Sequence, residues 1–413
     1  MQQIDNPFAD FAGDYVLNQH AFNPVEFIRR YWQQQPVLIR QAFVGFQDPI
    51  SADELAGLSM EPGVDSRLVS CVNGKWDLQH GSINDFSNLG DRDWSLLVQA
   101  VNEHYPPAQE LLRAFRFLPD WRIDDLMVSY STPGGGVGPH LDQYDVFIIQ
   151  GTGERRWQVG AQGNYSSHCP HPDLKQVTGF SPIIDEVLQP GDMLYIPAGF
   201  PHAGETLQEA LNFSVGLRAP SQAELISALA DHALEHDALN QRFRDEQATL
   251  LNANAEQLAD REPWHLPAEV VQQCKTLMQA ALQDDALLHK VCAELFSKNP
   301  RPPLPEWPAT PFTAGAVVYT CQRYDMLAKA VGVRMITTTY NNQLYAVIQG
   351  HWYALDEDAE ALFGMLSDMT DFTESNKVIE YLGSPLACEL LAGLLNEGLL
   401  ILLSDEEQEE ANI

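Results

Sequence analysis

No stretch of the 413-residue sequence comes near the roughly 18 consecutive apolar residues that a membrane-spanning helix needs. The opening MQQIDNPFADF also lacks the basic start and apolar run of a secretory signal. A soluble cytoplasmic protein with no membrane partner is the resulting expectation. Basic residues are scarce: 24 Lys and Arg stand against 57 Asp and Glu, a formal net charge of −33. Naked nucleic acid is a poor partner for such a chain, because non-specific affinity for a phosphate backbone comes chiefly from cations. A basic protein or peptide is a better one, since an acidic surface raises its local concentration. The six cysteines (Cys71, Cys169, Cys274, Cys292, Cys321, Cys388) form no C-x-x-C pair and no framework spacing, which argues against disulfides and structural zinc. No internal repeat is visible.

With 45% hydrophobic residues the chain can bury a sizeable core spread over more than one domain. Asn23 can cap a short helix that has Pro24 at its first position and Phe27, Tyr31 and Trp32 on its apolar side, and Pro36 then opens a strand, PVLIR. From Trp121 to Arg218 short strands such as DLMVSYS, DVFIIQ, RRWQVG, DMLYIP and LNFSVGLR alternate with the turn signals TPGGG, GTGE and QPGD, the pattern of an antiparallel barrel or sandwich. From Ser221 to about Asn299 the apolar spacing becomes helical. NPRPPLPEWPATP reads as a stiff linker. After it comes a hairpin turning at Asn341 and Asn342, then further helices, together suggesting a winged-helix-like module whose many acids and few bases speak against reading DNA. The tail SDEEQEEANI is expected to be solvated and disordered.

The chemistry concentrates in GGGVGPHLDQYDVFIIQGTGERRW, residues 134–157. On a strand, positions i and i+2 share a face, so His140 and Asp142 can aim donors at one point. His202, at the end of GDMLYIPAGFPH, completes the set: Gly191, Pro197, Gly199 and His202 follow the second cupin motif, G-x5-P-x-G-x2-H, and Gly134 fits the start of the first. Two imidazoles and one carboxylate on one side of a metal, with the other positions open, suit non-haem Fe(II) that activates O2. Such chemistry needs an electron-rich co-substrate, and 2-oxoglutarate carries a second carboxylate to be gripped. In the strand returning after GTGE, Arg155 shares a face with the apolar Trp157 and Val159, so it should point inward and bind a carboxylate through two parallel hydrogen bonds, while Arg156 points out. Asp125, Met127 and Ser129 share one face of their strand, as Asn212 and Ser214 do of theirs; either face is a candidate for the outer one. If these polar residues line the cavity, Asp125 is a counter-charge for a cationic substrate and Ser129 and Asn212 join Arg155 at the co-substrate.

H-L-D at 140–142, His202 with its surround, Arg155 and the N-terminal FIRRYWQQQPVLIR resemble the JmjC-type 2-oxoglutarate oxygenases, and PGGGVGPHLDQYDVFIIQGTGERRW with the order of segments around it is most similar to the bacterial ribosomal oxygenases. The resemblance implies an α+β chain: the N-terminal part of the JmjC domain over 1–97, a double-stranded β-helix core over 98–220, a helical dimerisation segment over 221–299, a Pro-rich linker over 300–310, a winged-helix-like domain over 311–405 and an acidic tail over 406–413. It makes His140, Asp142 and His202 the iron ligands and Arg155 the 2-oxoglutarate anchor. It makes Asp125, Met127, Tyr144 and Ser214 the pocket for a substrate arginine, belonging in that family to ribosomal protein sixteen of the large subunit, and it implies a homodimer. Thr206 departs from the second cupin motif, which usually has Asn there. Rival readings are a JmjC-type lysine hydroxylase or demethylase and a non-catalytic metal-binding cupin scaffold; a scaffold has no use for a dicarboxylate anchor.

Three other features carry less. His168, Cys169 and His171 in SSHCPHPD fit no common metal spacing and read as a loop. His232 and His236 lie four apart on a helix, but no catalytic Glu accompanies them in HALEH, so a partly exposed helix face is expected. The glycines at 134–136 are not followed by a helix, so they form no phosphate loop.

Overall fold

In a computed structural model of the chain, residues 15–244, 262, 264–301, 305–370 and 372–404 are described. The extreme N-terminus, residues 245–261 of the expected helical segment, part of the expected linker and the whole acidic tail 406–413 lie outside them. Contacts divide the chain into two units: Met1–Ala219 with Arg301–Val333 and Asp356–Ile413, and Pro220–Pro300 with Arg334–Leu355. The segment 311–405 is therefore shared between the two. No helix among the described residues is long and apolar enough to cross a membrane.

The first unit is built on strands β1 Val37–Ile39, β2 Ser66–Val72, β3 Lys75–His80, β4 Trp94–Val98, β5 Ile123–Ser131, β6 Asp145–Gln150, β7 Arg155–Gly160, β8 Ser166–His171, β9 Leu174–Thr178, β10 Pro182–Leu188, β11 Met193–Ile196, β12 His202–Thr206 and β13 Ala210–Leu217. One sheet runs β1-β11-β6-β13-β5-β4-β2-β3, and a smaller one runs β10-β7-β12. Every pairing is antiparallel, and the two sheets face each other across a common interior, the cupin-like arrangement expected for the core.

Strand alternation decides which residues reach that interior. On the large sheet Phe147, Ile149, Phe213, Val215, Leu126 and Val128 pack behind, in a buried cluster with Phe27, Phe115 and Phe117. Phe27 belongs to the helix Pro24–Arg30, whose first turn is capped by Asn23 accepting from the Glu26 amide at 3.0 Å. With the apolar alternates committed to the back, the opposite set must face forward. Val146, Ile148 and Leu194 do so against Trp157 and Val159 of the small sheet. Asp125, Met127, Ser129, Asn212 and Ser214 share that forward face, which resolves the choice left open by the sequence.

The segment His168–His171 is not a loop: it lies in β8, which pairs with β9. A register shift between His168 and His171 accommodates Pro170, which has no amide to donate. In the second unit, helices Gln222–Glu235, Ala268–Ala281 and Asp285–Ser297 accompany a three-stranded sheet, Met335–Tyr340, Gln343–Ile348 and His351–Ala354. Its first turn holds Asn341 and Asn342 at φ of 50° and 61°, the left-handed pair that a two-residue hairpin favours.

Candidate functional site

His140 and Asp142 do not lie on a regular strand. His140 makes a single antiparallel bridge with His202, each amide donating to the other's carbonyl at 2.9 and 3.0 Å. Gly138 explains the interruption: it sits at φ +76°, and a Cβ there would meet the Gln176 side chain at 2.1 Å. Pro139 follows and cannot donate to a ladder. The segment is pinned residue by residue instead. Gln176 Nε2 donates to the Val137 carbonyl, the Val177 amide to that of Pro139, and the Gly199 amide to that of Asp142.

Convergence at the three side chains follows from that pinning. His140 Nδ1 lies 3.0 Å from the Gly138 carbonyl, and His202 Nδ1 lies 3.0 Å from that of Phe200. A carbonyl only accepts, so each Nδ1 holds its proton, and Nε2 is the nitrogen each ring can offer to a metal. The Nε2 atoms lie 3.8 and 3.5 Å from Asp142 Oδ2. All three donors fall within 4.8 Å of one another, and among the described residues this is the one His/Cys/Asp/Glu group of that kind. Burial drives the His140 imidazole down to about 4, with the neighbouring His202 adding to the effect, so the ring is the neutral species that a metal needs. At Asp142 burial pushes the carboxyl up, but His202, His140 and Arg67 together hold it below its ordinary value. Two imidazoles and one carboxylate, oriented before any ion arrives, fit a divalent iron with open positions.

These ligands line a cavity of about 540 Å³. Arg155 and Arg156 divide as the strand alternation requires. Arg156 is outside, with Nε and Nη2 each 2.7 Å from Asp185. Arg155 is 5% exposed. Its Nη1 donates to Asn212 Oδ1 at 3.2 Å and to Ser129 Oγ at 3.4 Å, its Nε has no partner, and its guanidinium lies 5.0 Å from the Trp157 ring. No carboxylate of the described residues pairs with it. Burial alone pulls it down to about 10, still a cation at neutral pH. A buried, uncompensated guanidinium is costly unless an anion joins it.

Asn212 does not line the cavity. It stands behind Arg155, its own amide donating to Gln150 at 2.9 Å, so it touches whatever binds only through the guanidinium. Asp125, Met127, Ser129, Tyr144 and Ser214 all line the wall. Asp125 is 3% exposed, and its Oδ2 accepts from Gln99 Nε2 at 2.6 Å and from the Ala100 amide at 3.0 Å. Burial pushes this carboxyl above its ordinary value, against the Arg301 guanidinium 3.8 Å away. Its Oδ1 faces Gly216, where a Cβ would come within 3.0 Å, so glycine keeps that side of the carboxylate open. Arg67, Gln99, His80 and Lys175, which no motif in the sequence marks, also reach the cavity. Only the alternation of SRLVSCV hinted at Arg67; nothing in the sequence says that β2 and β9 border the same space as β7.

The JmjC domain family model matches residues 110–225. A ribosomal protein uL16 3-hydroxylase of Escherichia coli is 58% identical over 227 residues, 55% of this chain and 61% of that protein. A probable ribosomal oxygenase of Haemophilus influenzae is 37% identical over 222 residues, 52% of this chain and 54% of its own length. The aligned stretch thus spans less than two thirds of either curated relative. The structural likeness is longer: the E. coli ribosomal oxygenase YcfD in complex with cobalt and 2-oxoglutarate superposes with a TM-score of 0.76 at 38% identity, covering 94% of this chain and 99% of that one.

Proposed function

Given that this chain belongs to the JmjC-domain ribosomal oxygenases, we propose that it is an Fe(II)- and 2-oxoglutarate-dependent hydroxylase that acts on an arginine side chain of ribosomal protein sixteen of the large subunit. The observation that carries this reading is Arg155: a cation sealed into the cavity wall without an acid partner, beside three converging metal donors. A structural metal site has no need of it. When bound, iron, 2-oxoglutarate and O2 supply the oxidation, in which one oxygen atom enters a substrate C–H bond and the other enters succinate as CO2 is lost.

The residues of the chain do the rest. His140, Asp142 and His202 hold the metal on one side, leaving the other side for co-substrate and O2. Arg155 grips the far carboxylate of 2-oxoglutarate, aimed by Ser129 and Asn212, the latter fixed by Gln150. Asp125 holds a substrate guanidinium through the oxygen facing Gly216, while Met127, Tyr144 and Ser214 bound its path, so that one side-chain carbon is presented to the metal centre. The ribosomal protein on which the Escherichia coli relative is named to act and the net charge of −33 support a basic ribosomal protein as substrate. The helical segment 221–299 supplies the dimer contact in this reading. Incubation with 2-oxoglutarate, Fe(II) and ribosomal protein, followed by intact-mass analysis, tests it: a gain of one oxygen with stoichiometric succinate is expected, and succinate without any mass gain removes the substrate assignment.

A further inference from the structure

A protein of net charge −33 has to admit a co-substrate that carries two negative charges, and its surface as a whole opposes this. At physiological ionic strength charges act over roughly 8 Å, so the groups at the cavity mouth decide the matter rather than the distant carboxylates. Two cations border the cavity besides Arg155: Arg67 on β2 and Lys175 on β9. The side chain of neither makes a hydrogen bond or an ion pair among the described residues, although Arg67 is near enough to Asp142 to help hold that carboxyl down. Arg67 is half-buried and Lys175 exposed. Both acids nearest the metal end have other tasks, Asp142 as a ligand and Asp125 held by Gln99 and Ala100. At the rim, Asp173 is engaged by His80, at 3.4 Å.

The register of the large sheet shows how the cations are arranged. Arg67 pairs with Leu97, Leu97 with Ser129, and Ser129 with Asn212, so these four stand in one row across β2, β4, β5 and β13. Neighbouring strands are about 4.8 Å apart, which sets Arg67 roughly 10 Å along the sheet from Ser129. Ser129 and Asn212 are the groups that hold Arg155. The row thus begins at the Arg67 guanidinium near the sheet edge and ends at the two residues, Ser129 and Asn212, that accept from the buried guanidinium of Arg155 on the facing sheet, with only Leu97 between.

We propose that Arg67 and Lys175 form a cationic approach that captures 2-oxoglutarate at the mouth and passes it to Arg155, setting how fast the co-substrate arrives and not how the reaction proceeds. This rests on the co-substrate assignment above. Clefts lined by one sign of charge raise on-rates by tenfold or more, in a salt-dependent way.

The test is stopped-flow binding of 2-oxoglutarate to anaerobic Fe(II)-loaded protein, followed through tryptophan fluorescence, since Trp157 adjoins Arg155. Removing both cations, Arg67→Gln with Lys175→Gln, should lower the association rate on the order of tenfold at low salt and flatten its salt dependence, with the dissociation rate unchanged. Arg67→Lys, which keeps the charge, should restore most of the rate. Arg156→Gln removes a cation outside the cavity and should change nothing. An unaltered association rate and salt slope in the double variant overturns the proposal. So does an equal loss in Arg156→Gln, which would make net charge the cause, or an effect confined to peptide affinity, which would assign the cations to the substrate. If the unaltered protein binds no 2-oxoglutarate, the functional reading itself fails, a result separable from all of these.

Discussion

The rings of His140 and His202 have centroids 4.2 Å apart, and so do those of His232 and His236. Each pair has a carboxylate beside it, Asp142 in one case and Glu294 in the other. In the first cluster both Nδ1 atoms are spent on backbone carbonyls, the rings are tilted by 60°, and both Nε2 atoms come within 4 Å of one carboxylate oxygen at a cavity wall. In the second the rings are stacked at 17°, His232 spends Nδ1 on Glu294 at 2.9 Å, and the other oxygen of Glu294 takes the Trp352 indole N–H at 3.2 Å. The residue types are alike. What makes a site is that the backbone consumes the Nδ1 donors that would otherwise satisfy the acid, and leaves the acid and both Nε2 atoms facing open space.

The contrast is broken most directly by deletion. His140→Ala or Asp142→Ala should eliminate stoichiometric Fe(II) binding and reduce 2-oxoglutarate turnover to background, while His232→Ala should leave both unchanged. Metal analysis after dialysis and succinate release check this. Metal retained in His140→Ala, or lost in His232→Ala, would reverse the assignment of the two clusters.

A second variant separates holding the substrate from holding the metal. Asp125→Asn keeps the shape of the side chain but removes its charge, and breaking a buried ionic contact costs about 3–5 kcal/mol, on the order of a hundredfold or more in rate. Peptide hydroxylation should fall by that factor, with metal content and uncoupled 2-oxoglutarate turnover retained. Mass analysis and succinate release on the same sample read both. Undiminished hydroxylation would place the guanidinium pocket elsewhere in the cavity.

Within β7 the same logic of partnered and unpartnered groups applies at smaller scale. Arg155→Ala should raise the 2-oxoglutarate requirement by about 10- to 150-fold, the equivalent of the roughly 1.5–3 kcal/mol of a hydrogen bond to a charged group. Arg156→Ala removes an exposed ion pair with Asp185, worth at most about 1 kcal/mol, and should leave the requirement as it is. Titration of initial rates against 2-oxoglutarate distinguishes them, and equal behaviour would mean that β7 faces otherwise in solution.

Much of this was legible in the sequence because it depends on local pattern. The inward turn of Arg155 followed from its neighbours Trp157 and Val159, and the hairpin at Asn341 and Asn342 from residues that tolerate positive φ. His140 and Asp142 converge as expected but for a different reason: Gly138 and Pro139 break the ladder, and the bridge to His202 replaces it. Which face of β5 and β13 lines the cavity was not legible, since it depends on Phe27, Phe115 and Phe117 packing behind Phe147 and on Phe46 packing behind Phe213. Arg67 and Lys175 were not legible, because β2 reaches the cavity only through pairings across the large sheet and β9 belongs to a separate two-stranded sheet. The strand through Pro170 was not legible, because a proline breaks the regular pattern of a ladder, and here a register shift accommodates it.

The smallest expected effect tests whether the second histidine cluster is purely structural. Glu294 accepts from His232 Nδ1 with one oxygen and from Trp352 with the other. In Glu294→Gln only one acceptor remains, but the imidazole can shift its proton to Nε2 and accept the new amide N–H at Nδ1, while the amide oxygen keeps the indole. Both hydrogen bonds survive in altered form, so the thermal stability should change by less than about 1 kcal/mol. His232→Ala has no such recourse. It leaves one oxygen of a largely buried carboxylate without its partner and should cost about 1–3 kcal/mol. Differential scanning calorimetry of the two variants reads the difference, and metal content and succinate release serve as the readouts that should not move. If Glu294→Gln were the more damaging of the two, the negative charge itself would matter in this cluster, and the likeness to the barrel site would extend beyond its ring spacing.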